Sequence, residues 1–305
     1  TAMTVFLAPT FWFFGRPEYQ RWKSLHRISI VALVLGLAHA LSSGRLLPGG
    51  WGTAIWSGYG ACVLLGFSWR LFWARRSGRK GYTIVRAEAI GRGVVELTLK
   101  PDGDLLRYRD GQFIYLTPLA PGLAAGRGEE HPYTLSSAHC EPALRVVIKD
   151  LGDASRALQA VPPGSKALVE GPYGGFFHGS GPAAPELWIA GGIGLTPFLA
   201  RARALAPGEP VDIHLVYCVQ DETRAHFRAE LEAVAARVGG FRLWMHYFAR
   251  EGPLDAAFLR ARCPDLSGRD VLVCGPPELI AAARAELRRA GVPAARVRSE
   301  DFNWL

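Results

Sequence analysis

Between residues 187 and 290, four short apolar runs alternate with stretches of helical character. The runs are Leu187–Ala190, Val211–Val219, Phe241–Phe248 and Val271–Cys274; the helical stretches are Pro197–Leu205, Thr223–Arg237, Leu254–Arg262 and Pro277–Ala290. Strict β-α alternation predicts a parallel, doubly wound sheet that takes its ligand at the carboxyl ends of the strands. Upstream the pattern is different. From Tyr82 to about His178, the runs YTIVRAEAI, GVVELTLK, GQFIYLTP, YTLSS, ALRVVIKD and SKALVEG are separated by turn signals, with only a brief helical SRALQ after Gly152. That pattern predicts a small antiparallel β-barrel.

Residues 1–80 form a third region, again of different character. Leu25–Leu41 and Ile55–Trp73 are apolar enough to be read as membrane helices, near 25–41 and 53–74, and Val5–Phe14 as the tail of an earlier one. This region holds ten Lys/Arg against Glu18 alone, whereas the rest of the chain holds 25 basic and 26 acidic residues. Basic residues confined to the flanks of apolar runs follow the positive-inside pattern, with the later regions in the cytoplasm, and argue against a nucleic-acid-binding face. His26 and His39 lie on the first apolar run; a histidine inside a membrane helix is costly without a partner, so both are candidate metal ligands. Thirteen residues of helix separate them by about 20 Å and turn their side chains roughly 140° apart. The alternatives are a headgroup position for His26 and a hydrogen bond to a neighbouring helix for His39. Five scattered cysteines without a C-x-x-C pair disfavour zinc and iron–sulfur sites and fit reduced thiols.

Four motifs carry the chemistry: His131-Pro132-Tyr133-Thr134-Leu135-Ser136-Ser137, Gly171-Pro172-Tyr173-Gly174, Gly191-Gly192-Ile193-Gly194-Leu195-Thr196-Pro197 and Cys274-Gly275-Pro276-Pro277. In the third, a strand runs into glycines, Thr196 is placed to cap the next helix, and Pro197 suits its first position. A helix start free of side-chain bulk is an anion site suited to a pyrophosphate, although the run is not G-x-G-x-x-G.

In order and spacing these motifs resemble those of the ferric reductase and NADPH oxidase family, whose ferredoxin-reductase-like half matches from about Tyr82 to Leu305. The resemblance implies three units: a partial transmembrane haem domain over 1–80, an FAD-binding β-barrel over 81–180 and an NAD(P)H-binding α/β domain over 181–305. It places the segment matching His131, Pro132, Tyr133 and Thr134 around the isoalloxazine, and Lys149, Gly152 and Ser155 on the FAD phosphates. Ser136, Gly171 and Gly174 join the cofactor-binding set. Gly192, Gly194 and Thr196 line the nicotinamide nucleotide, within a turn bounded by Gly191 and Pro197. Cys274, Gly275 and Pro276 approach the nicotinamide. Glu300 and Phe302 match an acidic-aromatic ending whose ring covers the flavin. Arg224 stands in for the usual 2′-phosphate arginine, since Gln220 occupies that place; NADPH is the first coenzyme, NADH the next. His26 and His39 match the spacing of a haem-ligating helix, with the opposing ligands on N-terminal transmembrane helices that this chain lacks. The implied activity is electron transfer from cytosolic NAD(P)H through FAD and b-type haem to oxygen or a ferric chelate across a multi-pass cell membrane. The other reading is a membrane-anchored, haem-free NAD(P)H:flavin reductase that passes electrons to a partner.

Overall fold

A computed structural model describes residues 31–39, 42, 51–76, 78–178 and 184–301. The chain divides into two compact units at Gly78 and Arg79. The first contains a helical stretch at 31–39 and the helix α1, Trp51–Arg76.

The membrane reading is corrected here: among the described residues, no helix is long and apolar enough to cross a membrane. The reason lies in the residue types. Ten of the 19 residues in Ile55–Trp73 are Trp, Tyr, Gly, Ser or Arg, which give a helix bulk or interfacial character and little aliphatic surface. The transmembrane fold and the multi-pass placement are withdrawn with it, as is the lipid bilayer as a partner. His26 lies outside the described residues. His39 is exposed on its helical stretch, and its carbonyl accepts the Ser42 hydroxyl at 3.0 Å.

The second unit begins with an antiparallel sheet of β1 (Lys80–Gly91), β2 (Val94–Pro101), β3 (Phe113–Pro118), β4 (His131–Thr134), β5 (Leu144–Lys149) and β6 (Lys166–Tyr173), in the order β4-β3-β6-β1-β2-β5. The two outer strands come together where Leu135 bridges Val146 and the Ser136 amide donates to the Arg145 carbonyl at 2.8 Å, which curls the sheet into a barrel. Alternation along the strands sends Tyr82, Ile84, Leu97, Leu99, Ile114, Leu116, Val146 and Ile148 inward as its core. A short helix, α2 (Asp153–Leu158), follows β5.

The remainder is a parallel sheet with helices on both faces. Its strands are β7 (Glu186–Gly191), β8 (Ile213–Val219), β9 (Phe241–Tyr247), β10 (Asp270–Gly275) and β11 (Val297–Asp301), in the order β11-β10-β7-β8-β9. The helices are α3 (Thr196–Ala204), α4 (Arg228–Arg237), α5 (Phe248–Glu251), α6 (Ala256–Arg262) and α7 (Pro277–Arg289). The central strands are buried on both faces, which is why they read as continuous apolar runs. The chain order reverses between β7 and β10, so their carboxyl ends form the switch-point crevice.

Two helices depart from their expected form. Phe227, at φ 64° and ψ 8°, interrupts the expected Thr223–Arg237 helix, leaving a 3-10 turn at Glu222–Arg224 and then α4. Another 3-10 turn, Gly192–Leu195, runs straight into α3, so Thr196 is a helical residue whose hydroxyl donates to the Ile193 carbonyl at 3.1 Å rather than capping an amide. Pro197 is then the second residue of α3, where its missing N–H costs nothing.

Candidate active site

The crevice between β7 and β10 is narrow because glycines let two backbones meet. A Cβ on Gly194 would collide with the Cys274 carbonyl, and one on Gly191 with the Leu279 side chain. Gly192 differs: its φ is +53°, and a Cβ there would meet nothing within 4 Å. The turn is thus closed on the Cys274 side and open at Gly192, where Thr196, Tyr217, His226 and Phe227 border a small cleft. This is a cradle that side-chain bulk would fill, at the start of a helix.

Cys274 is wholly buried among Trp188, Phe198 and Leu215, and burial, with Glu300 and Asp301 nearby, holds its thiol protonated. Gly275 is buried and Pro276 exposed at the helix entry. Register pairs Cys274 with Glu300 on the edge strand β11. Glu300 is partly buried, and desolvation raises its carboxyl above the ordinary value. Phe302 lies outside the described residues.

Glu300 connects this end of the sheet to the barrel. A Cβ on Gly174 would lie 3.8 Å from Glu300 Oε1 and 3.1 Å from the Phe113 ring. Gly171, which precedes Pro172 through a cis bond, packs against Ile114. Phe113, Tyr115 and Tyr173 form an aromatic trio with centroids 5.7–5.8 Å apart, and Glu170 accepts from the Tyr173 hydroxyl at 2.8 Å.

On β4, His131, Pro132 and Tyr133 are half-buried and Thr134 is buried. Tyr133 packs on the barrel core, and desolvation raises its phenol. His131 Nε2 is buried without a hydrogen-bond partner; Glu129 Oε2 is 3.5 Å away. An orphaned donor or acceptor beside a half-exposed strand fits a ring system with polar edges laid against it. Ser136 is fully buried instead, donating to Glu96 Oε1 at 3.0 Å in the seam between barrel and sheet.

The residues expected on the phosphates lie at the end of β5 and the start of α2. Lys149 is exposed at the end of β5. Ser155 closes the start of α2 itself, accepting from the Leu151 and Gly152 amides at 2.9 Å and donating to the Gly152 carbonyl. Across the seam, the His226 ring fills the space a side chain on Gly91 would need. Burial, then Lys149 and Arg224, hold His226 below its ordinary value, so these three groups lie close enough to feel one another. Arg224 itself is exposed.

Sequence reasoning missed His226, Phe227, Glu96 and Arg203. Only Arg203 left a trace, a charge, with Arg201, in the last turn of a mostly apolar helix, and nothing marked its acidic partners.

Residues 79–176 match a family described as an FAD-binding domain, and residues 188–285 an oxidoreductase NAD-binding domain. The stachydrine N-demethylase reductase subunit of Rhizobium meliloti is 28% identical over 219 residues, covering 66% of this chain and 60% of that protein. The ferredoxin reductase component of the 3-ketosteroid-9-alpha-monooxygenase of Mycolicibacterium smegmatis is 32% identical over 208 residues, covering 66% and 58%. The chain therefore spans somewhat more than half of these relatives' length. The FAD/NAD-binding domain of a nitric oxide dioxygenase from Vibrio cholerae superposes with a TM-score of 0.64 at 24% identity, covering 73% of this chain and 98% of that one. A flavohemoglobin from Malassezia yamatoensis does so with a TM-score of 0.67 at 20% identity, covering 92% and 74%. Residues from Arg79 on are thus a ferredoxin-reductase-like pair, an FAD-binding domain followed by an oxidoreductase NAD-binding domain.

Proposed function

We propose that the chain is the reductase of a two-component system, taking electrons from NAD(P)H and handing them singly to a partner protein such as an oxygenase component. The observation that carries this reading is Glu300 beside Gly174 and Phe113: the carboxyl end of the nucleotide-binding sheet opens directly onto the barrel's Gly171–Gly174 segment. Residues suited to hold FAD are His131, Pro132, Tyr133 and Thr134 for its ring and Lys149, Gly152 and Ser155 for its phosphates. When bound, FAD accepts a hydride, two electrons and a proton, from NAD(P)H and releases the electrons one at a time.

The protein contributes position and exclusion. Gly192 and the start of α3 receive the nucleotide's phosphates through backbone N–H groups. Gly194 keeps the turn against β10, so that Gly275 and Pro276 border the nicotinamide. Glu300, with its raised carboxyl, faces the barrel at this junction and sets the polarity beside the reacting atoms. No general base is needed, and the buried Cys274 thiol stays protonated.

The test is an anaerobic titration of the FAD-loaded full chain with NADH and, separately, NADPH, followed by addition of a one-electron acceptor protein such as cytochrome c. Loss of the flavin's visible absorbance, and its recovery with two equivalents of acceptor reduced, is the expected result. A chain that binds FAD and is bleached by neither coenzyme would sink the proposal.

A further inference from the structure

The barrel and the parallel sheet meet along a seam with two components. One is an apolar plug: Phe176 and Phe177 insert beside Trp188 and Phe198, with centroids 5.2–6.1 Å apart. The other is a buried charge. The Arg203 side chain, on the last turn of α3, is 5% exposed. Its Nε and Nη2 donate to the two Glu230 oxygens at 2.6 and 2.9 Å within the nucleotide-binding domain. Its Nη1 crosses the seam, donating to Glu96 Oε1 on β2 and to the Ser136 carbonyl, both at 2.8 Å. Glu96 is held in turn by the Ser136 hydroxyl at 3.0 Å and by Arg145 at 3.7 Å. Phe227, the left-handed residue bordering the cleft at Gly192, lies 5.5 Å below the guanidinium.

Burying so many charges is a poor way to gain stability, because desolvation offsets most of the attraction. What a planar, multiply bonded guanidinium supplies is geometry. Here it joins three functional segments. Ser136 lies two residues after Thr134, α3 begins at the glycine turn, and Phe227 walls the cleft.

We propose that Arg203 is a positioning residue for hydride transfer, fixing the nucleotide-binding domain on the flavin-binding barrel so that nicotinamide and flavin meet in register. The proposal rests on the reductase reading above. It differs from a plain stability role in one respect: the bond to Glu96 crosses the seam, whereas the fork to Glu230 does not.

The experiment compares Glu96→Gln and Glu230→Gln with Arg203→Lys in the FAD-loaded full chain. It measures thermal unfolding, the dissociation constant of oxidised coenzyme, the flavin–nicotinamide charge-transfer absorbance and the single-turnover rate of flavin bleaching. Misplacement of reacting groups by about 1 Å is enough to lower a rate roughly a hundredfold. Glu96→Gln and Arg203→Lys are expected to weaken the charge-transfer band and slow bleaching at least about tenfold, with coenzyme affinity changed by less than about threefold. Glu230→Gln is expected to slow it much less at a similar loss of thermal stability. Should Arg203→Lys fail to fold, the two glutamine variants decide alone. Rates that follow thermal stability whichever carboxylate is removed, or a band that survives in Glu96→Gln, overturn the proposal. A wild-type chain that takes up FAD but is not bleached is a different failure, that of the reductase reading itself.

Discussion

Gly192 and Gly194 stand two residues apart and need to be glycine for opposite reasons. At Gly194 the obstacle is the Cys274 carbonyl, which belongs to a central strand and cannot step aside. Gly194→Ala is therefore expected to cost about 1–3 kcal/mol through overpacking, visible as a lower thermal midpoint with or without coenzyme. At Gly192 space is free but φ is +53°, so Gly192→Ala is expected to lose about 1 kcal/mol from backbone strain and to weaken coenzyme binding by covering the open cradle. Equal effects of the two on coenzyme affinity and on unfolding would contradict this division. Glu300 gives a prediction of opposite sign. Burial raises its carboxyl above the ordinary value of 4.5, so the folded state holds the proton more tightly than the unfolded state. Its contribution to stability is present at low pH and is lost as pH rises through the raised value. Glu300→Gln is expected to raise the thermal midpoint at pH 7 relative to wild type, with the gain disappearing below the unfolded value; a midpoint that falls at pH 7 would show that the charge is compensated.

At the level of elements, much of the second unit was legible because each strand carries its own signal. The central strands are apolar throughout because helices cover both faces, and the barrel strands alternate. β11 was not read as a strand, since Val297-Arg298-Ser299-Glu300-Asp301 is polar; it pairs only with β10 at the sheet edge, where little burial is demanded. The break at Phe227 was invisible because an aromatic in the left-handed region is paid for by tertiary contacts, here the cleft wall and the stack under Arg203. α1 reads as apolar in sequence, but the tryptophans, tyrosine and glycines in it supply little aliphatic surface. At the start of α2, Ser155→Ala removes the acceptor for two amides and is expected to cost about 1 kcal/mol and to lower FAD retention on gel filtration. The end of β8 is where coenzyme choice is expected to be made. Asp221 and Glu222 place two carboxylates beside exposed Gln220 there, with Arg224 the cation on the same turn. Two carboxylates repel a 2′-phosphate, so NADH is expected to be preferred, and Gln220→Arg to shift the kcat/KM ratio toward NADPH by about tenfold. An unchanged ratio would place the 2′ group elsewhere.

For the molecule as a whole, the important charges are those placed where water is scarce. Arg203 in the seam was not foreseeable, because pairing a buried charge needs partners from β2 and α4 that only the tertiary fold assembles. Three histidines report the same feature through pH. His214, His226 and His246 are each held below 6.5, in every case mainly by desolvation. The surroundings differ. Arg269 and Arg242 repel a proton at His214, while Asp212 and Asp265 favour it; Lys149 and Arg224 repel one at His226; at His246, Glu251 and Asp255 favour it, with Phe248 and Phe258 rings 5.2 and 4.9 Å away. The Nδ1 atoms of His214 and His246 are buried without hydrogen-bond partners, so a proton there has nothing to donate to. Each histidine binds its proton less tightly folded than unfolded, so stability is full above pH 6.5 and declines as pH falls below it. Thermal midpoints are therefore expected to drop between about pH 7 and 5, before most carboxylates titrate. Glu300 acts in the opposite direction, from its ordinary value of 4.5 up to its raised one. His246→Leu, which keeps the aromatic-lined slot apolar, is expected to flatten the decline between those pH values. His226→Asn is expected to do so as well, and in addition to change coenzyme affinity, because His226 alone of the three borders the cleft at Gly192. A decline of undiminished slope in the double variant His246→Leu/His226→Asn would assign the acid sensitivity to groups other than these two histidines.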